Sequence, residues 1–203
     1  MIPVFDGHND ILLRMFKAPD KREAIWLTGE GKGHLDLPRM KAGGFAGGFF
    51  AIYVPSPGKM DLDLRERLMA NPPYDLPLPP PVAYEAALPV VMEMAGHLAW
   101  MERTGTLKIC RSTADLRACL ATGTIAAIMH MEGAEGIGPD LDAVHVWHAA
   151  GLRSVGPVWS RPTAFGNGVP FRFPGNPDTG DGLTDAGKRL IRECNAQIGR
   201  AHV

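Results

Sequence analysis

The chain has 203 residues, enough for one domain with a core of its own, and its 21 Lys and Arg are balanced by 22 Asp and Glu. That balance excludes the basic footprint of a nucleic-acid or anionic-membrane binder. No apolar run approaches the roughly 20 residues that cross a bilayer, and the three scattered cysteines, Cys110, Cys119 and Cys194, form no disulfide framework. A strand signal starts almost at Met1 with no basic and apolar leader ahead of it, so a cytoplasmic protein with reduced thiols is expected.

Residues 2–10 read as a short apolar strand that ends in His8-Asn9-Asp10. A Gly-rich loop follows at 27–33, then an apolar run over 45–54 bounded by Gly and Pro, as a buried parallel strand is. The glycines of that run imply close backbone approach or a kink. Residues 71–81 carry six prolines and are expected to be an extended surface loop. The spacing over 82–103 predicts a long helix with Leu88, Val91, Met92, Ala95 and Ala99 on one face.

A short strand is expected at 107–110, then a helix capped by the Ser112-Thr113-Ala114-Asp115 segment and stopped before Gly123. Residues 124–133 form a strand signal with Glu132 at its C-terminal end. A helix over 141–150 ends at Gly151, a strand is expected at 153–159, a Pro- and Gly-rich loop at 160–182, and a last helix at 185–197. Strand followed by helix, about five times, predicts a parallel sheet with helical crossovers in a single domain spanning 1–203. The candidate polar residues all fall at strand C-terminal ends, where (β/α)8 barrels keep their active sites. An open doubly wound sheet competes, but the first strand lacks its Gly-rich phosphate fingerprint.

Residues i and i+2 of a strand share a face. His8 and Asp10 therefore converge just beyond the first strand, and an imidazole beside a carboxylate is a half-site for a divalent metal, most often zinc. The competing reading is a capping Asp and a His bonded to backbone. Glu132 adds a third donor at the same rim, and a carboxylate can bridge two metals about 3.5–4 Å apart. Alone, it could equally cap a helix or pair with an arginine. Glu135 lies outside the strand and is expected to face solvent. His130, at i−2 from Glu132, shares its face one layer deeper and is expected behind the ligands. His145 and His148 have no acidic neighbour in sequence and are expected to pack or face solvent. The cysteines lack a nearby His, and neither a GxSxG elbow nor a GxxxxGK[ST] loop occurs.

Asp6-Gly7-His8-Asn9-Asp10, Met131-Glu132-Gly133, and Gly182-Leu183-Thr184 with Gly187 and Asn195 resemble the renal (membrane) dipeptidase family, peptidase M19. The segment from Trp159-Ser160-Arg161-Pro162 to Phe173-Pro174 is similar to a bacterial branch of it. The resemblance implies a (β/α)8 TIM-barrel metal-dependent hydrolase with two zinc ions, cleaving a small dipeptide by metal-activated hydroxide. It implies that His8 and Asp10 hold the first zinc, that Glu132 bridges both, that Asp10 and Glu132 serve catalysis, and that Trp159 and Arg161 lie on the substrate side. Trp159 stands where other members carry a substrate-contacting His, which implies an altered substrate choice.

The family also uses two later histidines for the second zinc, a later Asp and a later Arg. The chain is therefore expected to hold about the first five βα units of an incomplete barrel, with His202 too close to Asn195 to count as a ligand. Five strands leave sheet edges and apolar surface open, so a truncated product, pairing with a partner or a second copy of the chain, or a fragment of a longer sequence is expected. Two further readings stay open: a non-catalytic remnant acting only through association, and another amidohydrolase acting on a cyclic amide or lactam.

Overall fold

The computed structural model of the chain describes residues 2–57, 62–176, 178 and 180–197, and His202 lies outside them. All five expected strands join one sheet: β1 (Val4–Asn9), β2 (Phe45–Tyr53), β4 (Leu107–Ile109), β5 (Ile125–Glu132) and β6 (Leu152–Gly156). The order is β1-β2-β5-β4, with β6 also pairing β5. β1 runs parallel to β2, Val4 opposite Phe45 and Asn9 opposite Phe50, and β4 runs parallel to β5 from Leu107 opposite Ile125. The expected close approach at the β2 glycines is present: a Cβ on Gly47 would lie 2.5 Å from the Ala126 carbonyl oxygen.

The chain divides into two compact units. The first comprises residues 1–53, 89–131 and 146–154. Its buried core includes Phe50 and Ile52 of β2, against which α1 (Ile11–Lys17) packs with Ile11, Leu12 and Met15 buried, together with Met129 and Met131 of β5 and Trp26. α2 (Leu37–Ala42) starts at Asp36, whose carboxylate accepts the Arg39 backbone N–H at 2.8 Å and Arg39 Nε at 2.6 Å. α5 (Thr113–Thr122) has the expected cap: Ser112 Oγ accepts from Asp115 N, and Gly123 closes the helix at φ +72° with its N–H on Cys119 O. Asp115 also accepts the Arg111 N–H at 2.9 Å, which ties the residue before the cap to the first turn.

The long helix α4 (Tyr84–Arg103) exists, but its buried face differs from the one expected. Ala87, Val91, Met94, Leu98 and Met101 are buried, whereas Met92 is 54% exposed and Ala99 is exposed. The 4-3-4-3 spacing of the buried set is the better helical stripe. Met94 also gives its sulfur to the Tyr53 backbone N–H at 3.4 Å. At the helix end, Glu102 accepts the Ile109 N–H at 2.9 Å and so ties α4 to β4.

The second unit comprises residues 54–88, 132–145 and 155–203, and it includes α3 (Leu62–Met69) and α7 (Asp185–Gln197). Its chain contains two strands where only loops were expected. β3 (Tyr74–Leu76) pairs antiparallel with β7 (Phe171–Phe173), Tyr74 stacking on Phe173. Each strand is three residues long, too short for alternation to show in the sequence, and the prolines around β3 already favour extended backbone. β6 ends at Gly156 rather than Trp159 because Pro157 has no N–H to give the ladder. α7 begins at Asp185 as expected, after Thr184 Oγ1 accepts the Gly187 N–H, and it buries Leu190 and Cys194. α6 (Asp142–Ala150) joins β5 to β6 along the chain.

Candidate metal centre

The Asp-Gly-His-Asn-Asp turn divides its side chains between scaffold and site. Asp6 Oδ1 accepts the His8 backbone N–H, and Asp6 Oδ2 accepts Asn9 Nδ2, both at 3.2 Å. Asn9, only 5% exposed, also donates to the Phe49 carbonyl of β2 at 3.1 Å. These bonds fix the end of β1 and leave His8 and Asp10 pointing outward, with side chains 42% and 59% exposed. His8 Nε2 lies 3.5 Å from Asp10 Oδ1. Two donors held at about 2.1 Å from one tetrahedral ion sit about 3.4 Å apart, so the pair is already spaced as co-ligands.

Glu132, the last residue of β5, completes the cluster: one donor atom from each of His8, Asp10 and Glu132 lies within 4.8 Å of the others. One imidazole and two carboxylates suit a divalent cation of the zinc type, and three protein donors leave a fourth position open. Behind His8, the His130 ring stands edge-on to it at 6.2 Å and edge-on to Phe49 at 6.1 Å, with Nδ1 2.9 Å from Ser154 Oγ. A cavity of about 550 Å³ adjoins His8 and Asp10 and is also lined by Asp6, Asn9, Arg14 and His34. Arg14 is held there by Glu30 at 2.9 Å. The volume suits a small ligand.

The remaining expected site residues fall out differently. Trp159 is half-buried, its ring edge-on to Phe171 of β7 at 5.7 Å. Arg161 has no exposed surface, so its guanidinium has none to offer a substrate. Its partner is Glu135, which is buried at 4% exposure rather than solvent-facing. Arg161 Nε and Nη2 both donate to Glu135 Oε1, at 2.9 and 2.5 Å. A carboxylate outside a strand reads as exposed; the arginine that buries it is 26 residues away in sequence. His145 also has an acidic neighbour, Glu193 of α7 at 3.9 Å. The three cysteines are buried and free, and burial beside Cys119 pushes the Cys110 thiol up to about 12. They therefore stay inert packing groups.

The family model for membrane dipeptidase (peptidase family M19) matches residues 1–199. The chain belongs to this family. A protein of Acinetobacter calcoaceticus described as "Uncharacterized protein in PQQ-III 3'region" is 38% identical over 195 residues, 95% of this chain and 60% of that protein. The crystal structure of a metallo peptidase from Rhodobacter sphaeroides, liganded with a phosphinate mimic of the dipeptide L-Ala-D-Ala, is 63% identical with a TM-score of 0.94. It is matched over 98% of this chain and 57% of its own. The probable dipeptidase PvdM from Pseudomonas aeruginosa, at 23% identity and a TM-score of 0.67, covers all of this chain and 46% of its own, and shares the fold.

The chain thus spans about three-fifths of the length of these first relatives. Its parallel sheet forms part of the (β/α)8 barrel into which M19 dipeptidases fold. Among the described residues, no helix is long and apolar enough to cross a membrane.

Proposed function

We propose that the chain carries the metal-binding half of a zinc-dependent dipeptidase. The observation that supports this most directly is the convergence of the His8, Asp10 and Glu132 donor atoms at the strand C-terminal ends. His8 and Asp10 would hold one ion from the end of β1, and Glu132 would reach it from β5 and, as a carboxylate, share it with a second. Zinc bound there supplies Lewis acidity and a water acidified for attack on a peptide carbonyl. Asp6 and Asn9 keep the two β1 ligands aimed, and His130 backs the His8 ring. Trp159 would face the substrate, a dipeptide of the kind that the phosphinate on the Rhodobacter sphaeroides neighbour mimics.

The test is zinc binding by the purified chain, measured by titration calorimetry, with L-Ala-D-Ala hydrolysis followed in parallel in any form that turns over. His8→Ala, Asp10→Asn and Glu132→Gln are each expected to weaken zinc at least tenfold and to abolish hydrolysis. Zinc affinity equal to the parent's in all three variants sinks the ligand assignment.

A further inference from the structure

We propose that the buried Arg161–Glu135 pair is a positioning device that holds the ligand Glu132 and the neighbouring Trp159 in place, an inference that rests on the metal reading above. Arg161 and Glu135 have side-chain exposures of 0% and 1%. Besides its two bonds to Glu135 Oε1, Arg161 donates from Nη2 to the Val54 carbonyl at 2.7 Å and from Nη1 to Ser56 Oγ at 3.0 Å. One guanidinium thus fastens three segments: the chain leaving β2, the turn after β5, and the loop after β6.

The other carboxylate oxygen, Glu135 Oε2, is buried with no hydrogen-bond partner. It lies against Gly133, where an added Cβ would sit 2.5 Å from it. The side chain therefore curls back onto the residue next to Glu132, one oxygen gripped by Arg161 and the other pressed on the turn. Gly133 itself holds φ +70°, and Ala134 donates to the Pro157 carbonyl at 3.3 Å. On the other side, the Trp159 carbonyl accepts from Val169 at 2.9 Å, two residues before Arg161.

Fold stability does not by itself call for such a pair. Two buried charges pay heavily in desolvation, and well-packed apolar residues commonly stabilise as well or better. What the guanidinium adds is direction, a planar fork whose bonds specify angle as well as distance. Metal ligands need placement within about 0.5 Å, and this is where such direction is useful.

The experiment compares melting temperature and zinc affinity, by competition with a chromophoric chelator, for the parent, Arg161→Met, Arg161→Lys, the double variant Arg161→Met/Glu135→Leu, and each of these with Glu132→Gln. The single Arg161→Met leaves a carboxylate buried alone and is expected to lower the melting temperature. The double variant is expected to recover it while zinc affinity stays down about 10- to 100-fold. Arg161→Lys, which keeps the charge without the fork, is expected to lose affinity while lowering the melting temperature less than Arg161→Met does. Adding Glu132→Gln to the double variant is expected to cost less affinity than adding it to the parent, because the pair acts through Glu132. Parent-like affinity in both the double variant and Arg161→Lys, or full additivity with Glu132→Gln, overturns the proposal. A parent that binds no zinc defeats the proposed function itself, and this inference with it.

Discussion

Substituting Gly133 by alanine tests the turn that carries Glu132. Two costs add. At φ +70° an alanine occupies the left-handed region, which costs about 1–2 kcal/mol. The new Cβ would then lie 2.5 Å from Glu135 Oε2, closer than real contacts allow, so the carboxylate must move. Moving it disturbs Oε1, which accepts two charge-assisted bonds from Arg161, each worth about 1.5–3 kcal/mol. With one of those two bonds lost, the expected total is about 2.5–5 kcal/mol. Gly31 supplies the matched control: its φ is +68°, and nothing lies within 4 Å of an added Cβ. Gly31→Ala should therefore show the backbone cost alone, about 1–2 kcal/mol. Urea denaturation of both variants, followed by far-ultraviolet circular dichroism, reads the difference. A Gly133→Ala penalty within about 0.5 kcal/mol of the Gly31→Ala penalty would refute the contact between Glu135 and the turn, since surface changes scatter by that much.

Leu98→Ala on α4 is expected to cost about 2–5 kcal/mol and Met92→Ala less than about 0.5, and equal penalties would reverse the assignment of the buried face. Asp36→Ala removes the α2 cap and should cost about 1 kcal/mol at neutral pH. Burial raises the Asp36 pKa, but the bonds from the Arg39 backbone and side chain outweigh it and hold the value below the ordinary 3.8. The stability this gives is present above 3.8 and lost as pH falls through the lower folded value, so the gap between parent and variant should close only in acid. Asn9→Asp sets a carboxylate where Asn9 Nδ2 now donates to Asp6 and to the Phe49 carbonyl. It should lower both the melting temperature and zinc affinity at pH 7, and unchanged values for both would show that these bonds do not hold the turn.

The parts of the molecule written in local pattern were legible. The apolar runs over 45–54 and 124–133 are strands because burial on both faces leaves continuous apolar stretches. The Ser112 cap and the Gly123 stop follow from chemistry within four residues. His8 and Asp10 do come within 3.5 Å of each other, but Asp10 lies past the end of β1 as the N-cap of α1, so the two-residue strand period alone does not account for the pair. What stayed hidden depends on partners far along the chain. β3 is a strand because of β7, roughly a hundred residues later. The buried face of α4 is not written in its composition, because apolar Met92 points outward while His97 is buried at 5% exposure. Burial there lowers the His97 pKa, which keeps the ring neutral inside the core. Glu135 reads as solvent-facing in the sequence for the same reason: nothing within the turn announces Arg161, 26 residues away.

The two ligand-bearing turns share a division of labour that bears on how the site is tested. In the first, Asp6 and Asn9 take the hydrogen bonds and burial, while His8 and Asp10 stay exposed. In the second, Gly133, Glu135 and Arg161 take the strained backbone and the buried charges, and Glu132 sits half-buried at the strand end. Exposed side chains with few packing contacts contribute little to folding. Substituting His8, Asp10 or Glu132 should therefore leave the fold standing, so lost zinc in those variants reports on ligation. Substituting Asn9, Gly133 or Arg161 disturbs the support, so lost zinc there must be weighed against lost stability. A donor aimed outward into water holds its direction only if the residues beside it are held by the protein.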